Sequence, residues 1–128
     1  MLTQEQIDLL TPLMEHPKFG NLLKEAVKAW SQENVTPLQG TFGIISFDTG
    51  FYHLDSEKGC CLLGAALLDK ENPTRCYYYR NIESIFGISY DESVQLHQGF
   101  DGEDIDCISE AYKFGVKVRQ IVNPKEVD

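Results

Sequence analysis

Ile7, Leu10 and Leu13 recur at helical spacing near the start of the chain, behind Thr3 and Gln6. Thr3 can accept from a backbone N–H three residues on while Gln6 reaches back, so the pair forms a capping box. Pro12 has no N–H to donate and its ring crowds the preceding turn. The first helix should therefore end near Leu10 or kink at Thr11-Pro12. His16-Pro17 then restarts the chain, with proline suited to the first position of a second helix. Leu22, Leu23, Ala26, Val27 and Trp30 line the inner face of that helix, and Lys24, Glu25 and Lys28 lie opposite. Asn34 and Pro37 end it.

The pattern changes after residue 38. Phe42, Ile44, Ile45 and Phe47, then Phe51, Tyr52 and Leu54, flank Asp48-Thr49-Gly50. A three-residue loop ending in glycine predicts a small β-hairpin over about 41–54. A two-stranded ribbon is not stable alone, so it must lie on the helices. Cys60 through Leu68 contains no polar residue and predicts a central helix, apolar on every side, over about 60–68.

After a break at Glu71-Asn72-Pro73, a short helix should run to Phe86, with Ile82, Ile85 and Phe86 inward and Gly87 as its stop. Ser89 and Glu92 form a second capping box, opening a helix through Val94 and Leu96 that ends at Gly99-Phe100-Asp101-Gly102. The last helix is expected from Glu103, with Asp101 as its cap, Ile105, Ile108, Tyr112 and Val116 on one face and Cys107, Ala111, Phe114 and Val118 beside them. Its acidic first turn (Glu103, Asp104, Asp106) and its later Lys113, Lys117 and Arg119 complement the helix dipole. Asn123-Pro124 stops it. These elements predict a mainly α, α+β fold of five or six helices around the 60–68 helix, in a single domain over 1–122 with a frayed tail at 123–128.

Composition agrees with a packed core: 42% of the 128 residues are hydrophobic. No apolar stretch reaches the roughly 18 residues needed to span a bilayer. The first six residues lack the basic and apolar regions of a secretory signal, which points to a cytoplasmic setting with reduced cysteines.

The net charge is −9. Between Arg80 and Lys113 there is no lysine or arginine, whereas Glu83, Asp91, Glu92, Asp101, Glu103, Asp104, Asp106 and Glu110 all fall there. The segment from Ile85 to Val94 has the outline of a helix-turn-helix, yet such a charge would repel a phosphate-lined groove. Nucleic acid is thus not expected as a partner. A basic protein is, with Asp91, Glu92, Asp101, Glu103 and Tyr78 as contact residues of a non-enzymatic interaction module.

The alternative rests on sulfur. Cys60 and Cys61, placed in the first turn of the central helix with His53 on the preceding strand as base, would make a cysteine enzyme or redox sensor. Metal binding is not expected, because His53, Cys60, Cys61, Cys76 and Cys107 show no paired ligand spacing. The 101–106 segment places Ile105 where an EF-hand needs an oxygen ligand. No cofactor-binding motif is present.

Gly59-Cys60-Cys61-Leu62-Leu63-Gly64, Phe86-Gly87-Ile88-Ser89 and Gly99-Phe100-Asp101-Gly102 together resemble small uncharacterised bacterial and phage proteins. Those carry a Cys-Cys-Leu-Gly type segment, a Gly-Leu-Ser-like turn and a C-terminal helix; this chain has two leucines before Gly64. The resemblance covers about the C-terminal half. It implies a compact helical fold in a prokaryotic or phage setting, and no activity.

Overall fold

The computed structural model describes residues 2–32, 35–39, 44–45, 51–53, 59–69, 75–77 and 81–124. Helix α1 (Gln4–Leu10) starts at the Thr3/Gln6 capping box, whose two backbone bonds measure 3.2 and 2.9 Å. At Pro12 the chain tightens into a 3-10 turn, Thr11–Glu15, which needs no donor from the proline ring.

Helix α2 spans Gly20–Trp30, three residues later than Pro17 would place it. The reason is His16. Its Nδ1 accepts from the backbone N–H groups of Lys18 and Phe19, each at 3.1 Å, and so holds a turn ahead of the helix. Its Nε2–H is left to donate to Glu110 at 2.8 Å, while the ring stacks on Phe19.

Two small sheets follow. Strand β1 (Thr36–Pro37) pairs in parallel with β4 (Gly59–Cys60), while β2 (Ile44–Ile45), β3 (Phe51–His53) and β5 (Arg75–Tyr77) form an antiparallel sheet in the order β2-β3-β5. The expected hairpin pairing is present, with Ile44 opposite His53 and Ile45 opposite Tyr52, and β5 completes it with a third strand. Its turn at 48–50 lies outside the described residues.

The expected 60–68 helix is shorter. Cys60 belongs to β4, Cys61 is an extended cap, and helix α3 occupies Leu62–Ala66. Every residue from Cys60 to Leu68 is buried, as a central element requires. An unbroken apolar run signals burial without choosing between helix and strand, and the ladder to β1 claims Cys60.

Helix α4 (Ile82–Phe86) stops at Gly87, whose φ of 70° is left-handed. Ile82 is buried and Phe86 partly so, four residues apart. Ile85, expected inward, is 46% exposed.

Helix α5 (Tyr90–Asp101) starts at the Ser89/Glu92 capping box and continues through Gly99 to a left-handed Gly102. Helix α6 is Glu110–Val122, capped by Ser109 and closed by a left-handed Asn123. The last helix therefore begins seven residues after Glu103, and Asp101 ends α5 instead of capping α6. The Tyr112 N–H takes the Ser109 hydroxyl as its acceptor at 3.1 Å. Between the helices, the N–H of Ile105 donates to the Glu103 carbonyl and that of Cys107 to the Ile105 carbonyl. These two-residue turns leave Ile105 and Ile108 exposed rather than buried.

Helices α5 and α6 form the most extensive helix pair, with α2 against α3 next. One core runs through Leu10, Phe19, Leu22, Trp30, Leu62, Leu63, Leu96 and Phe100, all buried. No helix among the described residues is long and apolar enough to cross a membrane.

Candidate functional site

Strand β4 delivers two adjacent cysteines into different jobs. Cys60 is structural. Its carbonyl accepts from the Trp30 Nε1–H and from the Leu38 N–H, both at 3.1 Å, and its side chain is buried. Cys61 turns the chain into α3, with φ −70° and ψ 177°, and its Sγ accepts from the Gly64 N–H at 3.5 Å. Both carry thiols rather than halves of a disulfide.

Helix α5 brings the partner. His97 and Asp101 stand four residues apart and so share one face of the helix. His97 Nε2 lies 2.9 Å from Asp101 Oδ2, with the carboxylate side chain only 10% exposed. Beside the imidazole lies the Cys61 sulfur. The Asp101 hydrogen bond first, and the sulfur second, raise His97 from its ordinary 6.5 to about 10, overcoming the opposing effect of burial. His97 is therefore an imidazolium at neutral pH. Its Nε2–H donates to Asp101, while Nδ1 is buried and has no partner at hydrogen-bond geometry. The arrangement is a thiol, an imidazole and a carboxylate in that order.

Trp30 sets the spacing between the two elements. Besides holding the Cys60 carbonyl, its indole stacks on Phe100 of α5 with centroids 5.7 Å apart and planes 16° from parallel. The end of α5 is fixed as well: Arg119 donates to the Gly99 carbonyl at 3.1 Å, and Gln39 to that of Phe100 at 3.2 Å. Orphan carbonyls at a helix end are thus satisfied by side chains instead of water.

The expected residues fall differently. His53 lies on β3, paired with Ile44 and Arg75, and its side chain is outside the described set. Tyr78 is outside it too. Glu92 serves the capping box and pairs with Lys18, and these contacts hold its carboxyl below the usual carboxylate range. Asp101 is tied to His97. Asp91 and Glu103 are exposed, but α5 has twelve residues and separates them. At about 1.5 Å per residue the helix between them is roughly 18 Å long. Among the described residues no cluster of three side chains could hold a metal ion. A hollow of about 410 Å³ opens at the other end of α3, lined by Glu25, Asp69, Tyr77 and Phe86 among others, and it includes neither Cys61 nor His97.

Sequence reasoning missed His97 altogether. Its signal is the i, i+4 spacing to Asp101, which is hidden when Asp101 is assigned as the cap of the following helix.

The charge on His97 has a consequence for stability. Its folded value of about 10 lies above the unfolded 6.5, so its contribution is complete below the unfolded value and is lost as pH rises through about 10. The melting temperature should fall between pH 7 and pH 10 more steeply in the wild type than in His97→Gln. Parallel slopes in a thermal-denaturation series would refute the link.

No family model matches this chain, and neither curated proteins nor solved structures give a match.

Proposed function

We propose that this protein carries out thiol chemistry, with Cys61 as nucleophile, His97 as its proton partner and Asp101 as the group that orients the imidazole. The observation that supports it is the imidazole itself: one nitrogen is bonded to a carboxylate and the other is buried, unpartnered, in a ring that lies beside a sulfur. A thiol flanked by an imidazolium is the arrangement that activates cysteine, and a third group that fixes the ring completes the logic of a triad. Access runs past His97, whose side chain is 33% exposed, since Cys61 itself is 1% exposed.

An acidic docking face has less support. Two of its carboxylates, Glu92 and Asp101, already have internal partners. Cysteines 60, 61 and 107 as thiols outside any disulfide accord with a reducing compartment such as the cytoplasm, which we include in the proposal.

Alkylation of the native chain with iodoacetamide, read by peptide mapping, tests the proposal. Cys61 should label at pH 7 and Cys60 should not. The His97→Gln variant should label roughly 100-fold more slowly, the lower end of what a positioned proton partner contributes. Labelling of Cys61 only after denaturation would overturn the proposal, as would equal rates in the variant.

A further inference from the structure

Resting on that reading, we infer that the electrophile Cys61 is built to meet is a small hydroperoxide, and that the product is a cysteine sulfenic acid retained beside His97. Three observations point there. The first is size. Cys61 is 1% exposed and is followed by Leu62 and Leu63, both fully buried, so its sulfur has no room for a bulky acyl or aryl group. Hydrogen peroxide is a neutral molecule little larger than water.

The second is the proton. Attack of the Cys61 thiolate on one peroxide oxygen forms an S–O bond and breaks the O–O bond, and the bonding pair leaves with the other oxygen. Sulfur is oxidised by two electrons and the peroxide is reduced. The departing hydroxide needs a proton to leave as water, and the His97 imidazolium carries one beside the sulfur. Asp101 at 2.9 Å holds that ring in place, and the partly exposed His97 ring itself lets solvent return the proton.

The third is what happens next. A sulfenic acid usually condenses with a nearby thiol. Cys60 is adjacent in sequence, but the peptide joining the two is fixed: its carbonyl holds both the Trp30 indole and the Leu38 N–H, and Cys60 is registered against Pro37 in the parallel ladder. A bridge between neighbouring cysteines requires that peptide to distort, and these bonds oppose it. The oxidised sulfur therefore stays a sulfenic acid, and Nδ1 is the nitrogen of the His97 ring left without a partner to bond its oxygen.

The test treats the full chain with hydrogen peroxide or with cumene hydroperoxide, removes the peroxide, then unfolds the chain in excess dimedone and maps the adduct, so that only the peroxide has to reach the buried sulfur. Hydrogen peroxide should give a dimedone adduct at Cys61 and none at Cys60, at least about tenfold faster than cumene hydroperoxide, and His97→Gln should slow it by about tenfold or more. The size comparison uses the wild type, so it stands even if the variant fails to fold. Equal rates with the two peroxides would overturn the inference, and so would a Cys60–Cys61 disulfide in place of the adduct. If iodoacetamide labels Cys61 while peroxide leaves it unoxidised, the peroxide inference falls and the thiol reading stands. If neither reagent reaches Cys61, both fall.

Discussion

Gly99→Ala should lower the melting temperature by about 6 °C or more, and Gly115→Ala should do the same. Gly99 sits in the last turn of α5 and Gly115 in the middle of α6, where the two helices touch backbone to backbone. A methyl group on Gly99 would overlap the Tyr112 carbonyl oxygen and come within 3.1 Å of the Val116 nitrogen. One on Gly115 would overlap the Leu96 carbonyl oxygen and lie 3.0 Å from the Phe100 nitrogen. Backbone cannot swing aside as a flexible side chain can, so the helices must separate. Overpacking of this kind costs about 1–3 kcal/mol and occasionally more. For a domain of this size each kilocalorie corresponds to roughly 3–6 °C.

The two substitutions push the same pair of helices apart, so the double variant should lose less than the sum. Gly87→Ala is the control. Its added methyl would meet nothing within 4 Å, and its cost comes only from the left-handed φ of 70°. That strain is worth about 1 kcal/mol, a smaller loss than either helix-pair variant. A melting temperature for Gly99→Ala within about 2 °C of wild type would show that the helices yield freely, contrary to the close packing of protein interiors.

Gly99 also explains why part of the fold was legible and part was not. The capping boxes at Thr3/Gln6 and Ser89/Glu92 were readable because each is complete within four residues. Gly87 and Asn123-Pro124 were readable for the same reason. In Gly99-Phe100-Asp101-Gly102, two glycines compete for the role of stop, and local sequence cannot choose between them. Tertiary packing does: α6 needs Gly99 small, and Gly102 alone takes the left-handed turn.

Assigning Asp101 as the cap of the next helix detached it from His97. The acidic stretch from Glu103 then matched a helix start so well that Ser109 was passed over. Cys60 failed differently. Nothing in an unbroken apolar run records that a strand more than twenty residues earlier, at Thr36–Pro37, will claim its backbone. The thiol was a candidate from sequence alone. Its imidazole, a non-local neighbour across the fold, was not.

Trp30 joins the fold to that site, and its variants should separate the two. Trp30→Ala should lose about 3–5 kcal/mol, the range for deleting a large buried aromatic. The indole is fully buried, stacks on Phe100, and no neighbour of that size can fill its place. Trp30→Phe is more informative. A phenyl ring keeps most of the apolar contact and removes the Nε1–H that holds the Cys60 carbonyl, a bond worth about 0.5–1.5 kcal/mol net. The carbonyl keeps the Leu38 N–H as donor, so the variant should fold with only a modest loss.

What changes is alignment. Trp30 is the strut between β4 and α5, so releasing one end of it lets Cys61 drift from His97. Alkylation of Cys61 in Trp30→Phe should slow toward the rate of His97→Gln, and adding His97→Gln to it should cost little more. Full reactivity in Trp30→Phe would mean that α3 and α5 hold the thiol against the imidazole without the indole. In that case the tryptophan serves the core alone.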